Sequence, residues 1–231
     1  GVLEASVPFS RVIGTGATQF SLVYGGFAAS SSGGLVVQMN NTITTPLTWS
    51  TNFLTDSGVF VLGSATAQGV VNVENNIALG TVVSDLGTYV QGLPGTLYRN
   101  ISVVDNTSTF ADYGQMSGVI SSGGGYNGID KSGDGLLYLS GVNTYTGPTV
   151  ISAGALGINS DSSLGAAPSA AYAITGTVTP GALQINGGAT LLDMGDSDFS
   201  LSADRSILLS AGGAASNIAV DTGLTLTIAG T

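Results

Sequence analysis

Residues 139–165 read LSGVNTYTGPTVISAGALGINSDSSLG. Short runs of Val, Ile, Leu, Tyr and Thr alternate with Gly, Pro, Asn and Ser, and Asp161 is the one charged residue. Such a stretch has no helical stripe of apolar side chains at i, i+3 and i+4. Its apolar pairs repeat every second residue, which is the spacing of one face of a strand. In TVIS this pairs Thr149 with Ile151, and in ALGI it pairs Leu156 with Ile158. Just upstream, GLLYLSG sets Leu137 and Leu139 on one face and Leu136 and Tyr138 on the other.

The same grammar runs through the chain. ALQI pairs Leu183 with Ile185, and FSL (199–201), ILL (207–209), IAV (218–220) and LTLTI (224–228) follow. The first half contains VFVL (59–62), VVNV (70–73), IAL (77–79) and ISVV (101–104). Glycine supplies 36 of the 231 residues and proline 6, so turns are made by left-handed positions more than by rigid kinks. The alanines of SDSSLGAAPSAAYA (160–173) predict a short helical loop ending before Pro168.

Strands this short favour a stacked β-solenoid over a sandwich or barrel, whose strands usually run to about five or six residues. Two-residue hairpin turns are scarce, with Asp134-Gly135 and Asn186-Gly187 as the candidates. Leu137 and Leu156 lie 19 positions apart in sequence, close to the ~20 residues of one solenoid coil. The expected inward set is Leu137, Leu139, Ile151, Leu156, Ile158, Leu183 and Ile185.

Composition narrows the function. Lys131, Arg11, Arg99 and Arg205 are the only basic residues against 14 acidic ones, for a net charge of −10. Such a chain repels phosphate backbones and anionic membrane surfaces, so neither nucleic acid nor membrane is an expected partner. Charged residues make up 8%, far below the ~25% of ordinary domains, so hydroxyls and amides keep the surface wet. Mean hydropathy is +0.40, yet no run approaches the ~18 apolar residues of a spanning helix. Cysteine and histidine are absent, which removes disulfides, thiolate metal sites and Ser–His or Cys–His nucleophiles. A Ser–Lys dyad has only Lys131 to draw on.

Each remaining candidate has a plainer reading. Asp193, Asp196 and Asp198 in LLDMGDSDFS offer clustered carboxylates for calcium, but the spacing fits neither an EF-hand loop nor a β-roll nonapeptide, and a solvated turn is expected. Asp130 and Asp134 flank Lys131 in GIDKSGDGLL, a carboxylate pair of the kind that hydrolyses glycosides; a surface loop is expected instead. The glycine-rich SSSGG and SSGGG lack the GK[ST] of a phosphate loop. Trp49, Tyr89, Tyr98, Tyr126, Tyr138 and Tyr145 would stack sugars if exposed, and are read first as packing residues. Asn143 is read as a corner-capping amide. No catalytic residue, metal ligand or cofactor is assigned.

Residues 132–165 resemble the autotransporter-associated β-strand repeat of very large bacterial surface proteins. That unit runs from a Gly-rich lead through L-x-L-S-G-x-N-x-Y-x-G and T-x-V/I-x-A-G-x-L to D-S-x-L-G. Here these elements fall on 137–141, Asn143, Tyr145, Gly147, 149–156 and 161–165. MSGVISSGGG (116–125) resembles the usual lead-in, and residues 184–231 the follow-on, with an Arg ahead of an I-x-L strand. GGFAAS (25–30), PLTWS (46–50) and LGSATAQGVVNVENNIALG (62–80) resemble a preceding module. The chain is thus divided into a leading module at 25–115, the best-matching unit at 116–165 and a follow-on at 166–231, all within one solenoid segment. Pro148 stands where Gly is usual, and SSGGGYNGIDKSG is a longer insertion.

The resemblance implies a right-handed parallel β-helix, exported to the cell surface, with a structural or adhesive role as fibre, spacer or coat. Surface glycans are a possible partner, and a carbohydrate-binding adhesin or a carbohydrate-active β-helix enzyme are the rival functions. Neither end carries an amphipathic capping helix, and Leu224, Leu226 and Ile228 alternate as in a strand. An uncapped coil predicts a continued stack, within a longer chain or head-to-tail between copies.

Overall fold

The computed structural model describes residues 1–80, 98–124, 127–168, 181–210 and 213–228. These residues form stacked sheets in which every strand-to-strand pairing between named strands is parallel.

One face is an eight-stranded sheet ordered Val2–Ala5, Gly25–Ala29, Val59–Leu62, Tyr98–Val103, Gly128–Ser132, Thr149–Ile151, Leu183–Ile185 and Ile207–Leu209. The second face is another, ordered Phe9–Arg11, Leu35–Met39, Val71–Val73, Gly114–Met116, Leu136–Leu139, Ala155–Ile158, Thr190–Asp193 and Asn217–Ala219. The third face is broken into Leu47–Thr48, Ile77–Ala78 and Ile120–Ser121, then Phe199–Leu201 beside Leu226–Ile228. Strands that follow one another in sequence therefore lie on different faces, and each pairs with the equivalent strand one coil away. This is a parallel β-solenoid. First-face strands begin at residues 2, 25, 59, 98, 128, 149, 183 and 207, and register partners one coil apart are separated by between 19 residues (Leu137 and Leu156) and 43 (Val71 and Gly114).

The alternation fixes the register. Leu137 pairs with Leu156 and Leu139 with Ile158, so the 19-residue spacing is one turn of the stack. Leu137, Leu139, Ile151, Leu156, Ile158, Leu183 and Ile185 are all fully buried in one apolar cluster, as their alternation predicts. Along the second face the inward row runs Met116, Leu139, Ile158 and Asp193. Along the first it runs Phe60, Ile101, Lys131, Ile151 and Ile185. Toward the N-terminus the lumen is aromatic: Phe9, Phe20, Phe27, Phe60, Phe53 and Trp49 form a chain of ring contacts with centroids 4.8–6.5 Å apart. Tilted and edge-to-face pairs of this kind add packing energy beyond the area they bury.

Corners follow from the backbone. Gly133 (φ 74°) and Gly154 (φ 63°) turn the chain from the first face to the second in consecutive coils. A Cβ at Gly133 would lie 2.3 Å from the Val103 carbonyl oxygen below it. Both positions thus need a left-handed residue and no side chain. Asp134-Gly135 and Asn186-Gly187 join strands of different faces and close no hairpin. The helical loop foreseen for 160–173 is a single 3-10 turn, Asp161–Leu164; the part beyond residue 168 lies outside the described residues. Pro148 stands just before the strand Thr149–Ile151, and its carbonyl accepts from Ile129 N at 3.1 Å.

Candidate functional site

Three of the four basic side chains are inside. Lys131 was expected in a surface loop with Asp130 and Asp134, but it occupies the strand Gly128–Ser132 and is fully buried. Its alternation partner Ile129 also faces the lumen. Nζ donates to the carbonyls of Gly133 (2.6 Å), Gly135 and Ala153 (2.9 Å), so the ammonium is caged by the corners of two coils. Asp130, on the opposite face of the strand, is half-buried and accepts from Asn100 Nδ2 at 3.2 Å and Ser152 Oγ at 2.6 Å. Only Asp134 is exposed. The proposed carboxylate pair is therefore split, with Asp130 bound into an outward polar row across three coils.

Arg99 belongs to the inward side of Tyr98–Val103, in a row with Ile129, Thr149 and Leu183. It donates to the carbonyls of Leu79 (2.8 Å) and Asp56 (3.0 Å), pairs with Asp56 Oδ1 at 3.2 Å and lies 5.5 Å from the Trp49 ring centroid. Burial lowers its pKa from the usual arginine value, against the pull of Asp56. Arg205 grips the Asp161–Leu164 turn. Nε and Nη2 take the two Asp161 carboxylate oxygens at 2.8 and 3.0 Å, while Nη1 donates to the carbonyls of Leu164 (3.1 Å) and Gly181 (2.6 Å). The D-S-x-L-G turn and the Arg ahead of the I-x-L strand are thus two halves of one clamp, 44 residues apart in sequence.

Lys131 makes stability depend on pH. Burial brings its pKa down from 10.5 to about 8, opposed by Asp134 and Asp130. Above pH 8 the folded chain releases this proton while the unfolded chain still holds it, until about 10.5. The unfolded state then binds more protons, so stability rises across that window by up to about 3 kcal/mol. Burial acts oppositely on Tyr145, pushed up to about 12, and also raises Tyr98. Those phenols stay protonated in the fold where the unfolded chain loses protons, so stability falls above pH 10. The expected melting temperature climbs from pH 8 toward 10 and then declines. In Lys131→Met the climb is absent and the decline remains; calorimetry across that range checks both.

The other candidates fall as follows. Asp193 was expected in a solvated turn but is buried at the end of Thr190–Asp193, facing inward beside Ile158. Its Oδ1 accepts from Gly195 N at 2.9 Å and its Oδ2 is buried with no partner among the described residues. Asp196 and Asp198 are exposed. Among the described residues, no group of three or more His, Cys, Asp or Glu side chains is placed to hold a metal ion. Asn143 is a corner amide as expected: its Oδ1 accepts from Ile120 N and its Nδ2 donates to the Ser163 carbonyl, each at 2.8 Å. Asn75 does the same for Met39 and Thr42.

Trp49 and Tyr145 are core residues, and Tyr98 and Tyr138 are half-buried. Tyr89 and Tyr126 lie outside the described residues. Among the described residues, the exposed aromatics that the sequence pattern did not single out are Tyr24 and Phe110, the latter in the loop 104–113, where alternation lapses. Among the described residues, no helix is long and apolar enough to cross a membrane.

Residues 129–158, which contain the caged lysine and the corner amide, match the Passenger-associated-transport-repeat family. Over 99 residues, 43% of this chain, the sequence is 30% identical to the "Adhesin BmaC autotransporter" of Brucella suis biovar 1 (strain 1330). That stretch covers 3% of the relative's length. No solved structure matches the chain. The chain carries a passenger-associated transport repeat and is distantly homologous to an autotransporter adhesin.

Proposed function

We propose that the chain is a rigid length of extracellular β-solenoid that holds adhesive surface away from a bacterial cell. The observation that supports this best is the continuous buried ladder, which passes through successive coils and makes each coil the template for the next. Its charged groups serve the same end, since Lys131, Arg99 and Arg205 are bound to backbone carbonyls and half-buried carboxylates. Similarity to an autotransporter adhesin supports the surface location. The stacking rule sets no limit on coil number, so continuation in a longer chain or head-to-tail between copies belongs to the same proposal.

The reading is non-catalytic. A β-helix acting on acidic glycans needs exposed cations beside its carboxylates, and here the lysine and two arginines face inward or into corners. Incubation with a panel of polysaccharides should release no reducing ends above the buffer blank. Steady release that is abolished by Asp130→Asn or Asp134→Asn would establish an enzyme and overturn the reading.

A further inference from the structure

At the corner between the first and second faces, the loop 104–113 and the next two coils enclose a cleft of about 380 Å³. Its walls carry three carboxylates, Asp105, Asp112 and Asp134, and two aromatic rings, Phe110 and Tyr113. No basic residue lines it. Lys131 stands close in sequence, but its ammonium already has three carbonyl acceptors.

The loop is held in place. Asn106 Nδ2 donates to the Ala67 carbonyl at 2.7 Å, and Asn106 N donates to Asp112 Oδ2 at 2.8 Å. Further bonds from Ser108 N to Asn106 Oδ1 and from Ala111 N to Thr109 Oγ1 close its turns. One group inside this frame is unsatisfied. Asp112 is 7% exposed, and its Oδ1 is buried without a hydrogen-bond partner among the described residues. Buried carboxylate oxygens without donors are rare and call for an explanation. Phe110 is fully exposed, and a fully exposed aromatic beside an acidic cleft is the second unexplained feature.

We propose that this cleft binds a cationic hydrogen-bond donor: a primary ammonium or guanidinium on a short apolar stem. The ligand must be rich in donors, because the polar groups of the wall are mainly acceptors. It must be positive, because three carboxylates line the wall and no basic side chain does. Phe110 and Tyr113 fit the same ligand, as ring faces attract cations and cover the methylenes next to them. A neutral polyol would leave the charge of the wall uncompensated. This site adds a ligand to the scaffold described above and does not rest on the spacer reading.

Two sources of such a cation can be compared directly. The probes are acetyl-Gly-Lys-Gly-amide and a glucosamine tetramer at pH 6, each beside its N-acetylated, neutral counterpart. Binding is read by NMR on the whole chain at low salt. The expected result is that a charged probe shifts the amides of 105–113 and 134–135 and the acetylated forms do not. Asp134→Asn and Asp105→Asn should each weaken binding about tenfold, while Asp221→Asn, in the last coil, leaves it unchanged. Whichever charged probe binds more tightly identifies the source. The proposal is overturned if acetylated probes bind as well, if the shifts spread over the whole acidic surface, or if the Asp134 and Asp105 variants bind like the parent. Asp134 and Phe110 are exposed, so Asp134→Asn and Phe110→Ala keep the parent melting temperature. Loss of the proposal with that melting intact leaves the solenoid reading standing.

Discussion

Leu139→Asp should cost at least about 4 kcal/mol and leave the chain largely unfolded at room temperature. Leu139 is fully buried between Met116 and Ile158 in the inward row of the second face. The substitution removes a close-packed isobutyl group and puts a carboxylate between two apolar rungs. Asp193 shows what the row tolerates: it sits one rung beyond Ile158 and has the Gly195 amide to bind, yet still leaves one oxygen without a partner. At position 139 even a comparable amide would leave the charge sealed mid-stack. Tyr138→Asp, on the half-exposed outward side of the same strand, should cost only about 1 kcal/mol. Urea melts followed by circular dichroism check the pair. Equal, small effects at 138 and 139 would remove Leu139 from the lumen.

Arg205→Met should cost about 3–5 kcal/mol, the range for breaking a buried ion pair from one side. The guanidinium serves both oxygens of Asp161 and the carbonyls of Leu164 and Gly181, so its loss removes the countercharge of Asp161 and the donor to each of these acceptors. Arg205→Lys should recover little, since an ammonium cannot reproduce the planar fork that spans these acceptors. Asp161 also accepts from Ser202 N at 3.0 Å, which ties the turn to the segment that carries the arginine. In a double-mutant cycle with Asp161→Asn, the coupling should exceed about 1 kcal/mol. Additive losses would mean that Arg205 acts through its backbone contacts alone.

The solenoid was legible wherever strands alternate cleanly. The apolar pairs of 136–139, 149–151, 155–158 and 183–185 all face the lumen, and the Leu137–Leu156 spacing is a register pair. Irregularity elsewhere has a physical cause: loops enter at the corners, so coils of 19 to 43 residues blur any fixed period. Lys131 was misread because GIDKSGDG looks like a charged loop. Its alternation with Ile129 pointed inward, but the three carbonyls that make burial tolerable come from corners of two coils, which no local pattern displays. Asp193 was misread for the same reason, although Leu191 two residues earlier is also inward. The Asp161–Arg205 clamp has both halves in recognisable motifs, yet their pairing depends on how coils stack. The acidic cleft gave no signal, because 104–113 has no periodicity and its third carboxylate arrives from the next coil.

Pairwise cysteine cross-linking tests the stacked topology most directly, because the chain has no cysteine of its own. Gln115 and Tyr138 are register partners on the outward side of the second face. Their Cα atoms lie about one inter-strand spacing apart, ~4.8 Å, within the reach of a disulfide. Tyr138 and Val150 belong to strands consecutive in sequence but on different faces, the pair that an antiparallel meander would bring together. The expected result is rapid, near-complete oxidation of Gln115→Cys with Tyr138→Cys and no bridge between Tyr138→Cys and Val150→Cys. A bridge at 138–150 with none at 115–138 would contradict the parallel solenoid.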